Sequence, residues 1–293
     1  MNDLQRVQLD ILKEFDKVCR KHNLKYFLTG GNLIGAVRYK GFIPWDDDID
    51  VEMPRPDYDK LLSLKDEFKH PYFLQTYQTD PRFPYNFMKI RNSNTTYIEN
   101  FFSRNKMNHG VWIDVFPLDG VSKYEVDKPT FKMKAKIWFI WLRFYLIYLT
   151  TLRRPIRKTT FLSDIFFNLI YLLTFWLNIN HFMNKWIDRS MKKIKYDEAK
   201  MICNLFSVYH SKSILSKEYY KEAIYLQYED GMFLAPINYH QMLTKTYGDY
   251  MKLPPIEKQI GHHYHSGFSL TIPYTEFDQE SYLKLKKQKK KSC

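Results

Sequence analysis

Six consecutive residues, Asp48-Ile49-Asp50-Val51-Glu52-Met53, alternate strictly between acid and apolar. Successive side chains of a strand leave on opposite faces, so Asp48, Asp50 and Glu52 share one side and Ile49, Val51 and Met53 the other. Such a strand needs a sheet with one buried apolar face and one face that gathers carboxylates, and Pro54 and Pro56 close it. Upstream, Tyr26 to Thr29 reads as a short strand running into Gly30-Gly31, and Asn32 to Tyr39 as a brief helix that Asn32 can cap. Residues 4–21 form an amphipathic helix, since Leu4, Val7, Ile11, Phe15 and Val18 recur at three- and four-residue steps. A helix over Tyr58 to Phe68, strands over Phe87 to Arg91 and Val111 to Phe116, and helices near Lys217 to Tyr225 and Tyr239 to Tyr247 follow. The fold class is α+β, a mixed sheet with flanking helices.

The chain has 293 residues and is 45% hydrophobic, enough to bury a full core. Its net charge of +13 is unevenly spread. Residues 128–195 hold fourteen Lys/Arg against Asp164 and Asp188, Lys284 to Lys291 add six more, and the remainder is mildly acidic. A groove-reading protein carries its basic residues on the folded core, so nucleic acid is excluded and an anionic membrane surface is the expected partner. These counts divide the chain into a core over 1–127, an inserted aromatic and basic helical subdomain over 128–195, a segment over 196–283 that completes the fold, and a lysine-rich tail over 284–293 expected to be disordered. Ile137 to Leu152 and Ile165 to Asn184 are apolar enough for helices lying in a membrane interface, with an ordinary helical subdomain packed on the core as the other reading. Cys19, Cys203 and Cys293 lack zinc or disulfide spacing and, with no secretion signal at the start, point to the cytoplasm.

Asp48 and Asp50, two apart on a strand, place two carboxylates about 6–7 Å apart on one face. Oxygen ligands at that spacing suit a hard cation such as Mg²⁺ on phosphate oxygens. Asp114 stands in the apolar run Trp112 to Phe116, where a lone carboxylate needs a partner; if its strand pairs beside Asp48 to Met53, it becomes the third acid, able to bind metal and take a proton from an attacking hydroxyl. Backbone donors at Gly31 and Asn32, at the positive end of a helix, can hold phosphate oxygens, with Arg38 and Lys40 adding charge. Taken singly, the run Asp46-Asp47-Asp48 reads as a solvated loop and the glycine pair as a turn; their order along the chain favours the catalytic reading. His262-His263-x-His265 has the look of a metal cluster, but with no nearby acid or cysteine spacing a histidine contact to substrate phosphate is the better reading, and a plain surface loop better still.

The stretch from Thr29 to Val51, TGGNLIGAVRYKGFIPWDDDIDV, resembles the signature of the LicD family of phosphorylcholine transferases. Trp112-Ile113-Asp114-Val115-Phe116-Pro117-Leu118-Asp119, and Tyr247-Gly248-Asp249-Tyr250-Met251 with Pro254-Pro255, resemble its second and third motifs. The resemblance implies a nucleotidyltransferase-like fold and transfer of phosphocholine from CDP-choline, or of a related group from another CDP-linked donor, to a sugar hydroxyl on a lipid-linked or polymeric glycan of teichoic acid or lipooligosaccharide type. It implies catalysis by Asp48, Asp50 and Asp114, which with Asp46 would bind Mg²⁺ or Mn²⁺. Gly30, Gly31, Asn32, Arg38, Trp45 and Lys89 are the expected substrate contacts. Arg91 is a further phosphate candidate, and Trp45 and Trp112 are candidates for the choline face. Gly30-Gly31 stands where the fold usually has Gly-Ser, so a backbone donor must replace the serine. The expected location is cytoplasmic and peripheral on the inner face of the cell membrane. Transfer of pentitol phosphate or a nucleotide on the same acids, and a non-enzymatic membrane-surface adaptor, are the competing readings.

Overall fold

The computed structural model describes residues 1–103, 105–122, 165–166, 169, 172–173, 179–207, 210–261 and 263–289. Most of the expected insert, and the final four residues of the tail, lie outside them.

Helix α1 (Asp3–Lys21) opens on a capping box in which Asn2 and Gln5 each satisfy the other's backbone N–H, and it buries Leu9, Leu12, Phe15 and Val18. Strand β1 (Phe27–Leu28) leads to α2 (Gly30–Tyr39), then β2 (Asp50–Pro54), α3 (Arg55–Ser63), β3 (Tyr72–Gln75), β4 (Met88–Asn92), β5 (Thr96–Glu99) and the long β6 (Val111–Val121). Helix α4 (Ile179–Met191) precedes β7 (Met201–Cys203), β8 (Ile214–Ser216), the hairpin β9 (Ala223–Tyr228) and β10 (Gly231–Pro236), α5 (Tyr239–Tyr247), β11 (His265–Ser269) and α6 (Gln279–Lys289).

The central sheet runs β1-β2-β6-β4-β3, with β7 and β8 continuing from the far end of β6. Strands β2 and β6 are parallel, and the other pairings are antiparallel. Val51, Met53, Met88, Ile90, Ile113 and Val115 are buried with α1 in one apolar core. The opposite face carries Asp50, Lys89, Arg91, Trp112 and Asp114, because period-2 alternation in three neighbouring strands in register brings these side chains out on the same side. The parallel pairing makes Asp50 and Asp114 register partners, as the sequence reading required of its third acid.

Several sequence expectations are corrected. The acidic strand begins at Asp50, not Asp48, because the preceding carbonyls are taken by side chains: Gln5 donates to Asp46 O (2.9 Å), Gln8 to Asp47 O (2.8 Å) and Asn32 to Asp48 O (3.1 Å). Helix α2 begins at Gly30, so Asn32 is no cap; its buried amide instead donates to the Tyr228 hydroxyl and accepts from Asp50 N–H. Residues beyond Lys217–Tyr220 form strand β9, not helix, because the outer edge strand β10 pairs with them. The tail expected to be disordered from Lys284 is helical to Lys289, anchored where Gln279 Nε2 donates to Ser266 Oγ and Lys286 Nζ to the His265 carbonyl.

Within the segment assigned to the insert, α4 packs on the core. Asn180 donates to the carbonyls of Pro81 and Phe83, Asn184 to that of Pro84, and Asp188 meets Arg55 at 3.2 Å. Arg55 is itself held by a bidentate pair to Asp119 (2.7 and 2.6 Å). Among the described residues no helix is long and apolar enough to cross a membrane.

Candidate active site

The acids gather where α2, the loop 43–49, and strands β2 and β6 meet. Gly30 has φ of 56°, a conformation open to glycine at little cost, and it lies beside the carboxylate of Asp50 and the hydroxyl of Tyr247. At Gly31 a Cβ would stand 2.5 Å from Asp46 Oδ2, so glycine is what allows that carboxylate to approach the helix N-terminus. The first N–H groups of α2 have no partner within the helix, which makes this end a natural anion seat.

Asp46, Asp48, Asp50 and Asp114 interact with one another. Burial and then the charge of Asp48 push the Asp46 carboxyl up to about 8. Burial raises Asp48, and burial followed by the charges of Asp48, Asp114 and Asp46 raises Asp50 well above the carboxylate range. Crowded oxygen donors that resist ionisation side by side are the chemistry a hard divalent cation relieves, so the residues present fit a Mg²⁺ or Mn²⁺ site. Asp114 is fixed from the other side: Trp112 Nε1 donates to its Oδ2 (3.1 Å), and Lys89 Nζ lies 3.0 Å from Oδ1.

Lys89 is buried, its ammonium 3.9 Å from the centre of the Trp112 ring and 3.8 Å from Glu99. These contacts bear on two of the expected substrate residues. Lys89 lies beside the acids but is spent on Asp114 and Glu99, and the Trp112 face expected for choline is covered by Lys89. Arg91 is likewise committed, to Gln75, the Gly110 carbonyl (2.6 Å) and Glu99 (3.6 Å), so it braces the fold. Burial works against the ionised Glu99, yet Lys89 and Arg91 hold its carboxyl below the ordinary range. Arg38 gives its Nη2 to the carbonyls of Tyr250 and Lys252, fastening the loop after α5. Asn32 contributes a clamp between Asp48 and Asp50 through its side chain. Trp45 is half-buried in the acidic loop.

Tertiary structure gives His263, read from the sequence as part of a surface loop, a place beside the acids. His263 Nδ1 lies 3.0 Å from Asp47 Oδ1 and 3.8 Å from Asp48, and its backbone N–H donates to Asp47 Oδ2 (3.0 Å). Burial lowers the His263 pKa, but the hydrogen bond to Asp47 and the charge of Asp48 outweigh it and raise it to about 9. Among the described residues, Asp47, Asp48 and His263 bring three possible ligand atoms within 4.8 Å of one another. The histidine triplet was visible in sequence, whereas its acids lie more than two hundred residues away. His262 is outside the described residues. Tyr247 and Glu99 also reach the site; Tyr247 belongs to the third quoted motif, while Glu99 gave no signal.

This architecture is that of an α+β protein with a carboxylate cluster at one end of a mixed sheet. Residues 23–161 match the family model described as LicD/FKTN/FKRP, nucleotidyltransferase domain. The lipopolysaccharide cholinephosphotransferase LicD of Haemophilus influenzae is 30% identical over 279 residues, covering 92% of this chain and 98% of that protein. Uncharacterised proteins of Rickettsia prowazekii and Rickettsia typhi are similar over shorter stretches: 32% over 68 residues (23% of this chain, 26% of that protein) and 36% over 59 residues (20% and 19%). The chain belongs to the LicD family, a family of transferases.

Proposed function

We propose that this protein is a metal-dependent transferase of nucleotidyltransferase-like fold that moves phosphocholine from CDP-choline to a sugar hydroxyl of a cell-surface glycan precursor, of lipopolysaccharide or teichoic acid type. The observation that carries it is the parallel register setting Asp50 beside Asp114, with Asp46 and Asp48 adjoining, in a chain similar along 92% of its length to a protein named for cholinephosphate transfer.

Asp46, Asp48 and Asp50 would hold Mg²⁺ or Mn²⁺, which when bound neutralises the donor's diphosphate. The N–H groups at the start of α2 would take phosphate oxygens, as glycine there admits close approach. Asp114, oriented by Trp112 and Lys89, would accept the proton of the acceptor hydroxyl as its oxygen bonds to phosphorus and CMP departs in line. Trp45 remains the candidate face for the quaternary ammonium.

Working on the inner face of the cell membrane is supported by side chains beyond the site. Ile165, Leu169, Leu172 and Leu173 are each at least half exposed at helical spacing, and Phe182 and Trp186 on α4 are exposed as well. Lysines of α6 would meet anionic headgroups.

Thermal denaturation with CDP-choline, CDP-ribitol, CTP or CMP, each in Mg²⁺ and in EDTA, tests the reading. A metal-dependent rise that is largest for CDP-choline supports it; preference for CDP-ribitol moves the substrate; no rise with any nucleotide refutes it. Asp48→Asn should abolish turnover with the fold intact, since it keeps shape and removes a ligand charge.

A further inference from the structure

A large cleft lies away from the acids. It encloses about 1120 Å³ between the loop after β3, the segments 93–109 around β5, and the residues 273–279 that lead into α6. That exceeds the roughly 300–1,000 Å³ of pockets for single small ligands. Its walls are rich in amides and hydroxyls, while Asp80, Glu276 and Lys106 are its charged residues, so an anionic ligand would meet two carboxylates and one ammonium. Phe73, Tyr274 and Phe277 add aromatic surface.

One wall group is unfulfilled. His109 is 7% exposed, and burial lowers its pKa to about 4, so the ring is neutral. Its Nε2 lies 2.8 Å from the Asn105 carbonyl, which can only accept; Nε2 therefore carries the proton and Nδ1 is a bare acceptor. Nδ1 is buried with no partner among the described residues. A buried acceptor left unmet costs about 1–3 kcal/mol, and a ligand hydroxyl is the donor it lacks. The cleft is also wired to the acids. Asp114 touches Lys89, Lys89 touches Glu99, Glu99 touches Arg91, Arg91 donates to Gln75, and Gln75 Nε2 donates to Asp80 and to the Asn108 carbonyl in the cleft wall.

We infer that this cleft binds neutral saccharide units, the sugar-rich part of the acceptor, through His109, Asn105 and Tyr274. Amides and a bare imidazole nitrogen match sugar hydroxyls, and aromatic rings match the apolar faces of pyranoses. The inference deepens the proposed transferase reading by naming where the acceptor is held, but sugar binding itself requires neither donor nor metal.

Saturation-transfer NMR of the full chain with methyl β-D-galactopyranoside and methyl N-acetyl-β-D-glucosaminide, in EDTA and without nucleotide, tests it. Millimolar binding of at least one glycoside is expected, weakened tenfold or more by His109→Phe and by Tyr274→Ala, with the CDP-choline thermal shift unchanged in both variants. Should His109→Phe fail to fold, Tyr274→Ala, at a half-buried position, decides. No saturation transfer to either glycoside, or equal transfer in wild type and Tyr274→Ala, overturns the inference. Loss of the nucleotide shift alone would strike only at the transferase reading.

Discussion

Replacing Asp46 by asparagine tests whether the acid cluster is strained in the way its geometry requires. Burial and Asp48 hold the Asp46 carboxyl at about 8, against an ordinary value near 4. A group whose pKa is raised on folding contributes no penalty below its unfolded value and an increasing one as pH climbs towards the folded value. At pH 7 the gap corresponds to roughly 4 kcal/mol, and solvent screening of this half-buried side chain reduces it to about 2. A carboxyl held at about 8 is mostly neutral at pH 7, so asparagine gives up little attraction to the α2 N-terminus beside Gly31, and the net gain is about 1–2 kcal/mol. The bond from Gln5 to the Asp46 carbonyl is untouched, because it uses the backbone. In EDTA, Asp46→Asn should therefore melt about 2–6 °C above wild type at pH 7 and converge with it near pH 4.5. With millimolar Mg²⁺ the order should reverse, since wild type alone retains the ligand. Circular dichroism melts at pH 4.5, 6 and 7, with EDTA and with Mg²⁺, give all of these values. A variant no more stable than wild type at pH 7 in EDTA, or one with the same offset at pH 4.5, refutes the reasoning.

Other outcomes are expected away from the acids. Asp119→Ala leaves the guanidinium of Arg55 buried with only Asp188 and Asp59 at the margin, and should cost about 3–5 kcal/mol in denaturant unfolding, with loss of α4 protection in hydrogen exchange. Gly110→Ala drives a Cβ into the backbone carbonyl of Asn92, which cannot yield as a side chain can, and should destabilise by at least about 1–3 kcal/mol in the same assay. The depressed pKa of His109 means its neutral form is favoured on folding; its contribution is complete above pH 6.5 and is lost as pH falls towards 4, worth about 3 kcal/mol. His109→Gln should accordingly lose less stability than wild type between pH 6.5 and 4.5 in urea titrations.

The sequence by itself determined what periodicity and local chemistry control. Strict alternation over residues 48–53 set one face of β2 for acids, amphipathic spacing set α1, and the stretch from Thr29 to Val51 carried the family resemblance that the relative bears out. It also named Asp114 as an acid in search of a neighbour, since an isolated carboxylate among Trp112, Ile113, Val115 and Phe116 is costly wherever that strand lies. Tertiary structure decided the partners. Whether Lys89 meets a substrate phosphate or Asp114 depends on the antiparallel register of β4 with β6, and whether Trp112 offers its face to a ligand depends on Lys89 lying over it. Asn32 as a clamp in place of a cap, and His263 beside Asp47, both follow from contacts between residues distant in the chain. Local propensity is summed over a few neighbouring residues and can be read along the chain, whereas the placement of a buried charge is settled by whichever oppositely charged groups the completed sheet brings within reach of it.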